Sequence, residues 1–306
     1  MDTRFTGLIP PVVTPFTQDG SVDLAGLDRV IEHLIAGGVN GLFLLGSSGE
    51  TAYLTDAERD AIIERAITTT AGRVPVLTGA IDTTANRVIE QARRAHALGA
   101  DAVVATCPFY AINDAVEIAD HFRAIAAAID VPLFAYDVPV RLNGVKLGCD
   151  LLVQLGREGV LAGVKDSSGD DVAFRRLVAA NEAAGHPLAL LTGHECVVDG
   201  MLLLGSDGVV PGYANVDPRS YADIWQVAQR GDWEEARRIQ DRICAGFEIV
   251  YVPQGRSGDA SGIGAFKTAM QAIGIIDTNT MAFPVKAVQG DAKDRVVAIV
   301  REQGLI

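Results

Sequence analysis

Short apolar runs recur along the chain, separated by stretches long enough for one helix each. Eight runs of four to eight residues, rich in Val, Leu and Ile, have the pattern of strands buried on both faces. Amphipathic stretches with helical spacing lie between them. The sequence therefore predicts alternating strands and helices. The runs begin at Gly7, Gly41, Val74, Asp101, Val131, Val160, Leu188 and Asp207.

Several of the predicted helices carry recognisable start and stop signals. Thr55 followed by Glu58 has the spacing of a capping box, in which each side chain bonds the other residue's backbone N–H. Asp114 followed by Glu117 has the same spacing. Gly99 stands where a helix is expected to end. These signals support helices after residues 55 and 114 and before residue 99.

The order of the elements predicts the architecture. Eight strand–helix units in about 220 residues indicate an α/β protein, a (β/α)8 TIM barrel. From residue 232 onward, three helical stretches follow one another without strands. We therefore expect a barrel over residues 1–231 and, over residues 232–306, a C-terminal helical extension packed on the barrel.

Charge and hydropathy exclude some classes of protein. The chain of 306 residues has 39 acidic against 26 basic side chains, a net charge of −13, which disfavours a nucleic-acid partner. No apolar run approaches the roughly 18 residues that a membrane span requires. The N-terminal stretch has no apolar core of the kind found in signal peptides. We expect a cytoplasmic protein that does not enter a membrane.

Motifs for metals and nucleotide cofactors are absent from the sequence. The four cysteines are far apart, and no C-x-x-C or clustered histidine pattern occurs. No glycine-rich phosphate-binding motif is present. We expect reduced thiols, no metal and no nucleotide cofactor.

Polar residues follow the ends of several predicted strands, where barrel enzymes place their catalytic groups. They all belong to the carboxyl-terminal ends of the strands, so they are predicted to face one mouth of the barrel. In strand order they are the GSSGE motif (residues 46–50), Tyr110, Tyr136, Lys165, Glu195, and Val210 with Gly212.

Lys165 ends an apolar strand pattern, although lysine is rarely buried. Burial disfavours the charged form of an amine, and a neutral amine attacks ketones to form a Schiff base. A lysine whose stem follows the rim while its ammonium group reaches solvent is the alternative. Tyr136, at the matching end of the neighbouring strand, favours the catalytic interpretation, since a phenol can move protons beside the amine. By itself, Tyr136 is also compatible with a core tyrosine.

The GSSGE motif predicts an anion-binding turn. Gly46 and Gly49 permit a tight turn whose backbone N–H groups converge. The hydroxyls of Ser47 and Ser48 add donors, which suits the carboxylate of a 2-keto acid. An ordinary loop is the alternative for the motif alone. Together with Lys165 and Tyr136, it predicts a site for a small-molecule 2-keto acid substrate.

The ordered set of motifs resembles the dihydrodipicolinate synthase/N-acetylneuraminate lyase family of class I, pyruvate-dependent aldolases. The resemblance runs from GLIPPVVTPF through GLFLLGSSGE, PFY, YDVP and GVKDSSGD to GSDGVVPG. It implies that Lys165 forms the Schiff base with pyruvate, without any other cofactor. It also implies that Tyr136 relays protons with Ser47 and Tyr110, and that Tyr110 crosses a tight dimer contact within a homotetramer.

KDSSGD and PFY resemble the lyase branch, which implies that Glu195 and Ser167 contact sugar hydroxyls. Cys196 stands where a second carboxylate is expected, and Asp137 replaces the usual Asn. Arg141 has the spacing of the carboxylate-binding arginine of the synthase, in a segment that looks one residue longer than usual. A solvated loop arginine is the alternative there.

We therefore expect reversible cleavage of a 2-keto-3-deoxy sugar acid, similar to N-acetylneuraminate or 2-keto-3-deoxygluconate, to pyruvate and an aldehyde. One alternative is the synthase reaction, which condenses pyruvate with aspartate semialdehyde. Another, from a different class, is a non-catalytic ligand-binding barrel that keeps the fold alone.

Overall fold

The computed structural model, which describes residues 3–306, contains a sheet of eight parallel strands. Each strand pairs with its neighbours in the order β1-β8-β7-β6-β5-β4-β3-β2. Val12 N donates to Phe43 O at 2.8 Å and Phe43 N donates to Pro10 O at 3.0 Å, which joins the chain after β1 to β2 and closes the ring. The (β/α)8 barrel is confirmed. The strands are β1 (Gly7–Leu8), β2 (Leu42–Leu44), β3 (Val76–Gly79), β4 (Ala102–Thr106), β5 (Leu133–Asp137), β6 (Gly163–Asp166), β7 (Ala189–Thr192) and β8 (Gly208–Val209).

Helices surround the strands, and three more follow the barrel. No strand separates these last three in the part of the chain that the structure describes. None of the helices within residues 3–306 has both the length and the apolar character needed to cross a membrane. The helices are α1 (Leu24–Ala36), α2 (Asp56–Thr70), α3 (Ala85–Ala97), α4 (Ala115–Ala126), α5 (Cys149–Arg157), α6 (Asp171–Ala183), α7 (Val198–Leu204), α8 (Pro218–Gln229), α9 (Trp233–Phe247), α10 (Gly264–Ile273) and α11 (Gly290–Glu302).

The predicted helix signals are confirmed. Both capping boxes form, with Thr55 and Glu58 at the start of α2 and Asp114 and Glu117 at the start of α4. Gly99 follows α3 with φ of +101°, a left-handed conformation in which glycine carries no steric penalty. Local sequence therefore fixed these helix ends.

The interior of the barrel is packed with apolar side chains below Lys165. The space left there is only about 10 Å³, too small for a substrate. The open space lies at the carboxyl-terminal ends of the strands, as expected for a barrel enzyme. Besides Lys165, this small interior space is lined by Ile9, Phe43, Leu77, Val104, Phe134, Leu191 and Val210.

Candidate active site

Lys165 and Tyr136 are neighbours across the sheet. They occupy paired positions of β6 and β5, and both side chains are buried. The Lys165 Nζ lies 4.3 Å from the centre of the Tyr136 ring and 4.9 Å from the centre of the Phe43 ring. The lysine therefore does not reach out from the rim into solvent. The structure brings together the two residues that the strand ends predicted.

The hydroxyl of Tyr136 is connected to the GSSGE turn. Its oxygen lies 3.4 Å from Ser47 Oγ. Burial by itself raises the pKa of the phenol, but the nearby charge of Lys165 and hydrogen bonds from the Ser47 and Ser167 hydroxyls lower it, with a further contribution from Arg141. The net effect is a lowered pKa for Tyr136. A more acidic phenol beside an amine suits a group that gives and takes protons.

The GSSGE motif forms the tight turn that the sequence predicts. Gly49 N donates to Gly46 O at 3.1 Å, and Glu50 N donates to Ser47 O at 3.0 Å. Within residues 3–306, the backbone N–H groups of Ser47 and Ser48 have no hydrogen-bond acceptor. A Cβ at Gly46 would lie 2.7 Å from the Phe43 ring, so this position requires glycine. The turn thus presents two N–H donors near Tyr136 that an anion can use.

The last residue of the motif anchors the turn to the helices that follow the barrel. Glu50 is buried and accepts a hydrogen bond from the Lys267 ammonium group, which lies in α10. Its other oxygen accepts from Ala282 N at 2.9 Å. Lys267 also donates to Thr280 O at 3.0 Å. Sequence reasoning missed this pair, although Glu50 belongs to a recognised motif and the chain has few lysines.

A second lysine, the half-buried Lys146, pairs with the two buried carboxylates that follow Tyr136 and Lys165. Asp137 and Asp166 directly follow Tyr136 and Lys165 and are themselves paired across the sheet. Lys146 donates to the Asp137 carboxylate and, at 3.1 Å, to Asp166 Oδ2. Burial raises the pKa of Asp137 although Lys146 lowers it. The departure from Asn at position 137 therefore comes with a counter-charge, which sequence reasoning did not identify.

A cavity of about 280 Å³ opens beside these residues. Among the residues that line it are Ser47, Phe109, Tyr136, Arg141 and Asp259. Lys165 is behind the Tyr136 ring, towards the barrel interior. Within the described residues, no three His, Cys, Asp or Glu side chains are grouped so as to hold a metal ion. The cavity is large enough for a small organic acid.

Arg141 lies at the cavity wall and is already paired. Its guanidinium group donates to both oxygens of Asp259, from the segment before α10. Tyr53 Oη donates to the same carboxylate at 3.1 Å. Arg141 thus lines the cavity and is paired there, while 44% of its side chain remains exposed. Asp259 lies beyond the barrel strands, and no sequence signal pointed to it.

Glu195 faces the loop after β8. Its two carboxylate oxygens accept hydrogen bonds from Gly212 N at 2.6 Å and Tyr213 N at 3.1 Å, and Tyr221 Oη donates at 3.2 Å. Burial raises the pKa of Glu195 to about 7, although these donors and the charge of Lys165 lower it. Glu195 therefore fixes the backbone at Gly212, which is itself a predicted site residue. Contact with a sugar hydroxyl stays a prediction.

Three further predicted site residues lie at different distances from Lys165 and Tyr136. They are Ser167, Val210 and Tyr110. The Ser167 hydroxyl lies near the Tyr136 phenol, and Val210 lines the interior space below Lys165. Tyr110 is 91% exposed and has φ of +74°, a conformation that non-glycine residues rarely adopt. A single subunit therefore does not bring Tyr110 to Tyr136 and Ser47.

The chain is similar to proteins of one family along nearly its whole length. Residues 4–303 match the family model of the dihydrodipicolinate synthetase family. The 4-hydroxy-tetrahydrodipicolinate synthase of Phenylobacterium zucineum is 34% identical over 308 residues, covering 100% of both chains. The probable 2-dehydro-3-deoxy-D-pentonate aldolase YjhH of Escherichia coli is 28% identical over 304 residues, covering 99% of both. The crystal structure of YagE, a prophage protein of the dihydrodipicolinic acid synthase family from Escherichia coli in complex with pyruvate, superposes with a TM-score of 0.92 at 28% identity, covering 99% of both chains.

The fold, the strand-end lysine and tyrosine, and these relatives define the protein as an enzyme, a class I aldolase or lyase. The match extends through the barrel and the helices after it. The chain belongs to the dihydrodipicolinate synthetase family.

Proposed function

We propose that this protein is a Schiff-base aldolase that uses Lys165 to cleave a 2-keto-3-deoxy sugar acid to pyruvate and an aldehyde. The observation that supports it most is the position of Lys165 against Tyr136, whose hydroxyl is near Ser47. Ser47 belongs to the GSSGE turn, in which the N–H groups of Ser47 and Ser48 have no acceptor within residues 3–306. An amine, a proton carrier and an anion-binding turn are the groups that this chemistry requires.

The reaction begins at the ketone. The carboxylate of the 2-keto acid binds the N–H groups of Ser47 and Ser48. The amine of Lys165 attacks the C2 carbonyl carbon, and loss of water gives a protonated imine. The positive nitrogen then withdraws electrons from the neighbouring carbons.

Cleavage follows from the imine. Tyr136 has given its proton to the hydroxyl that left as water and, now a phenolate, removes the proton of the C4 hydroxyl; the C3–C4 bond breaks and the aldehyde leaves. The bonding electrons form the C2–C3 double bond of an enamine and neutralise the imine nitrogen. Protonation at C3 and addition of water release pyruvate and the free amine. In reverse, the same steps add pyruvate to an aldehyde.

The choice of a sugar acid as substrate is supported by two polar residues near the amine and the phenol and by one relative. Glu195 and Ser167 lie near Lys165 and Tyr136, where hydroxyl groups of a substrate would need partners. A relative that matches along the whole chain carries the name of a 2-dehydro-3-deoxy-pentonate aldolase. The alternative is condensation of pyruvate with aspartate semialdehyde, favoured by Arg141 at the cavity wall and by the synthase relative. A non-catalytic barrel is disfavoured because Lys165, Tyr136 and Ser47 are brought together.

Tyr110 supports the proposal that a second subunit completes the site. A tyrosine that is exposed and held in a left-handed conformation is arranged for a contact outside its own chain. We infer that it enters the neighbouring subunit's cavity. The homotetramer and the cytoplasmic location stay predictions of the family resemblance.

Borohydride trapping tests the covalent step. With pyruvate present, reduction should attach the three-carbon acid irreversibly to Lys165, as located by peptide mass spectrometry. Lys165→Ala should abolish the adduct, while the exposed control Lys286→Ala should keep it. An adduct on Lys146 or Lys267 instead would contradict the assignment. Parallel assays with N-acetylneuraminate, 2-keto-3-deoxygluconate and aspartate semialdehyde then separate the lyase from the synthase.

A further inference from the structure

The segment that follows α9 contributes a carboxylate to the cavity. Asp259 begins a π-helical turn, Asp259–Ile263, which leads directly into α10. Only 9% of its surface is exposed, yet it lies among the residues that line the cavity. Single π-helical turns occur frequently at functional sites. The position of Asp259 therefore indicates that this carboxylate has a function in the cavity.

Asp259 accepts hydrogen bonds from groups of two other segments. Arg141 donates to both carboxylate oxygens, and Tyr53 Oη donates to Oδ2 at 3.1 Å. The α10 helix that follows is itself fixed by the bond from Lys267 to Glu50. Asp259 is thus fixed at the cavity wall by its own hydrogen bonds and by the anchored helix that follows it. An ionised carboxylate has about four acceptor positions, so three donors leave room for roughly one more.

The pairing changes what Arg141 can bind. A guanidinium group binds a carboxylate most strongly through two parallel hydrogen bonds. In this chain, Asp259 already occupies that face of Arg141. Among the described residues that line the cavity, Arg141 is the only cation. The described lining of the cavity therefore offers no unpaired positive charge to an acid group on the aldehyde.

The cavity lining around Asp259 can bind hydroxyl groups. Asp259 keeps room for about one more hydrogen-bond donor at the cavity wall. Ser47 and Tyr53, which also line the cavity, carry hydroxyl groups. A polyhydroxy aldehyde brings donors and acceptors that pair with such groups, whereas a carboxylated aldehyde would leave its charge poorly compensated.

We propose that Asp259 is a specificity-determining residue, which pairs with Arg141 and thereby selects a neutral, hydroxylated aldehyde over one that carries a carboxylate. This inference rests on the proposed aldolase function. It assigns a part in substrate choice to the chain beyond the barrel strands.

The test is the ratio of two activities in Asp259→Asn. Removing the charge frees Arg141, so kcat/KM with aspartate semialdehyde should rise roughly tenfold, mainly through a lower KM, because a charge-assisted pair becomes available. Cleavage of 2-keto-3-deoxygluconate should fall. Asp277→Asn is the matched control, because Asp277 is exposed and pairs with Arg29 outside the cavity. The ratio of the two kcat/KM values in Asp277→Asn should remain within about twofold of the ratio in the unmodified enzyme.

A second variant separates specificity from folding. Asp259→Asn combined with Arg141→Ala should lose the gain with aspartate semialdehyde, since the freed guanidinium is then absent. An unchanged ratio in Asp259→Asn, or an equal fall in both activities, would overturn the specificity role. Pyruvate trapping on Lys165 in the same samples distinguishes that result from failure of the proposed function, which would show as no trapping in the unmodified enzyme.

Discussion

Tyr136 and Lys165 occupy paired positions on adjacent strands, with the lysine nitrogen 4.3 Å from the centre of the tyrosine ring. The pairing is a property of the sheet register, so backbone hydrogen bonds set the approach of the two side chains. Such preorganisation is valuable because catalytic groups work best when little movement is needed to reach the reactive geometry.

Tyr136→Phe tests the proton-transfer role. The ring and its edge contact with Phe43 are retained, while the hydroxyl near Ser47 is lost. We expect turnover to fall by roughly a hundredfold or more, with folding intact. A coupled assay for pyruvate release measures the rate, and Tyr251→Phe, an exposed tyrosine, serves as the control. Near-normal turnover would reduce Tyr136 to a packing residue.

Mixed subunits test the role of Tyr110. Tyr110→Ala and Lys165→Ala should each be nearly inactive alone. If Tyr110 acts in the neighbouring subunit, unfolding and refolding the two variants together should recover activity, because one site per mixed pair then holds both residues. Refolding of each variant separately is the control. Absence of recovery, with mixed oligomers demonstrated by native mass spectrometry, would show that Tyr110 does not act across an interface.

Lys146→Met tests the pairing of Lys146 with Asp137 and Asp166. Without the lysine, the buried Asp137 and Asp166 carboxylates lie side by side with no counter-charge. We expect the free energy of unfolding, measured with urea at pH 7, to fall by roughly 2–4 kcal/mol. Adding Asp137→Asn should restore part of the loss. Lys286→Met, at an exposed lysine, should change stability by less than about 0.5 kcal/mol.

The same variant has a defined pH dependence. The pKa of Asp137 is raised in the folded protein by burial, and removing Lys146 removes a group that lowers it. The folded state then holds a proton more tightly than the unfolded chain does, so stability is regained as the pH falls from 7 towards the ordinary range of a carboxyl group. A loss that stays constant over this range would contradict the charge explanation.

Lys267→Met tests the anchor of the GSSGE turn. It leaves the buried Glu50 carboxylate without its cation, which should lower the free energy of unfolding by about 3–5 kcal/mol. Because the turn is loosened, KM for the keto acid should rise more than kcat falls. Lys267→Met with Glu50→Gln should recover stability. Equal stability of Lys267→Met and the unmodified protein would show that the pair is not an anchor.

Glu195→Gln tests the raised pKa of that carboxyl group, which shifts from 4.5 to about 7 in the folded protein. Between these values the folded state holds a proton that the unfolded chain has lost. The carboxyl group's contribution to stability is therefore full below pH 4.5 and is lost as the pH rises to 7. At about 1.4 kcal/mol per pH unit, the decline amounts to something on the order of 3 kcal/mol.

Glutamine has no titrating proton, so the difference in unfolding free energy between Glu195→Gln and the unmodified protein should change across this pH range. Urea unfolding at a series of pH values measures it. Parallel curves for the two proteins would contradict the raised pKa. Pyruvate trapping should be nearly unaffected, since the keto-acid carboxylate is expected on the Ser47–Ser48 turn.

The sequence by itself determined the barrel and predicted the centre of the candidate site. Strands buried on both faces must be apolar throughout, so their runs are visible, and capping at Thr55 and Asp114 depends on neighbours three residues away. Lys165 and Tyr136 could be found because each interrupts an apolar run at a strand end. Their pairing then follows from parallel strands that share one edge.

The tertiary structure alone decided which charges meet. Glu50 and Lys267, or Arg141 and Asp259, are more than a hundred residues apart along the chain. Nothing local distinguishes such a carboxylate from a solvated one. Partner choice depends on how the segment before α10 lies against the barrel, and burial makes an unpaired charge costly. The chain beyond the barrel therefore supplies charged partners to the site residues, and no sequence motif predicts them.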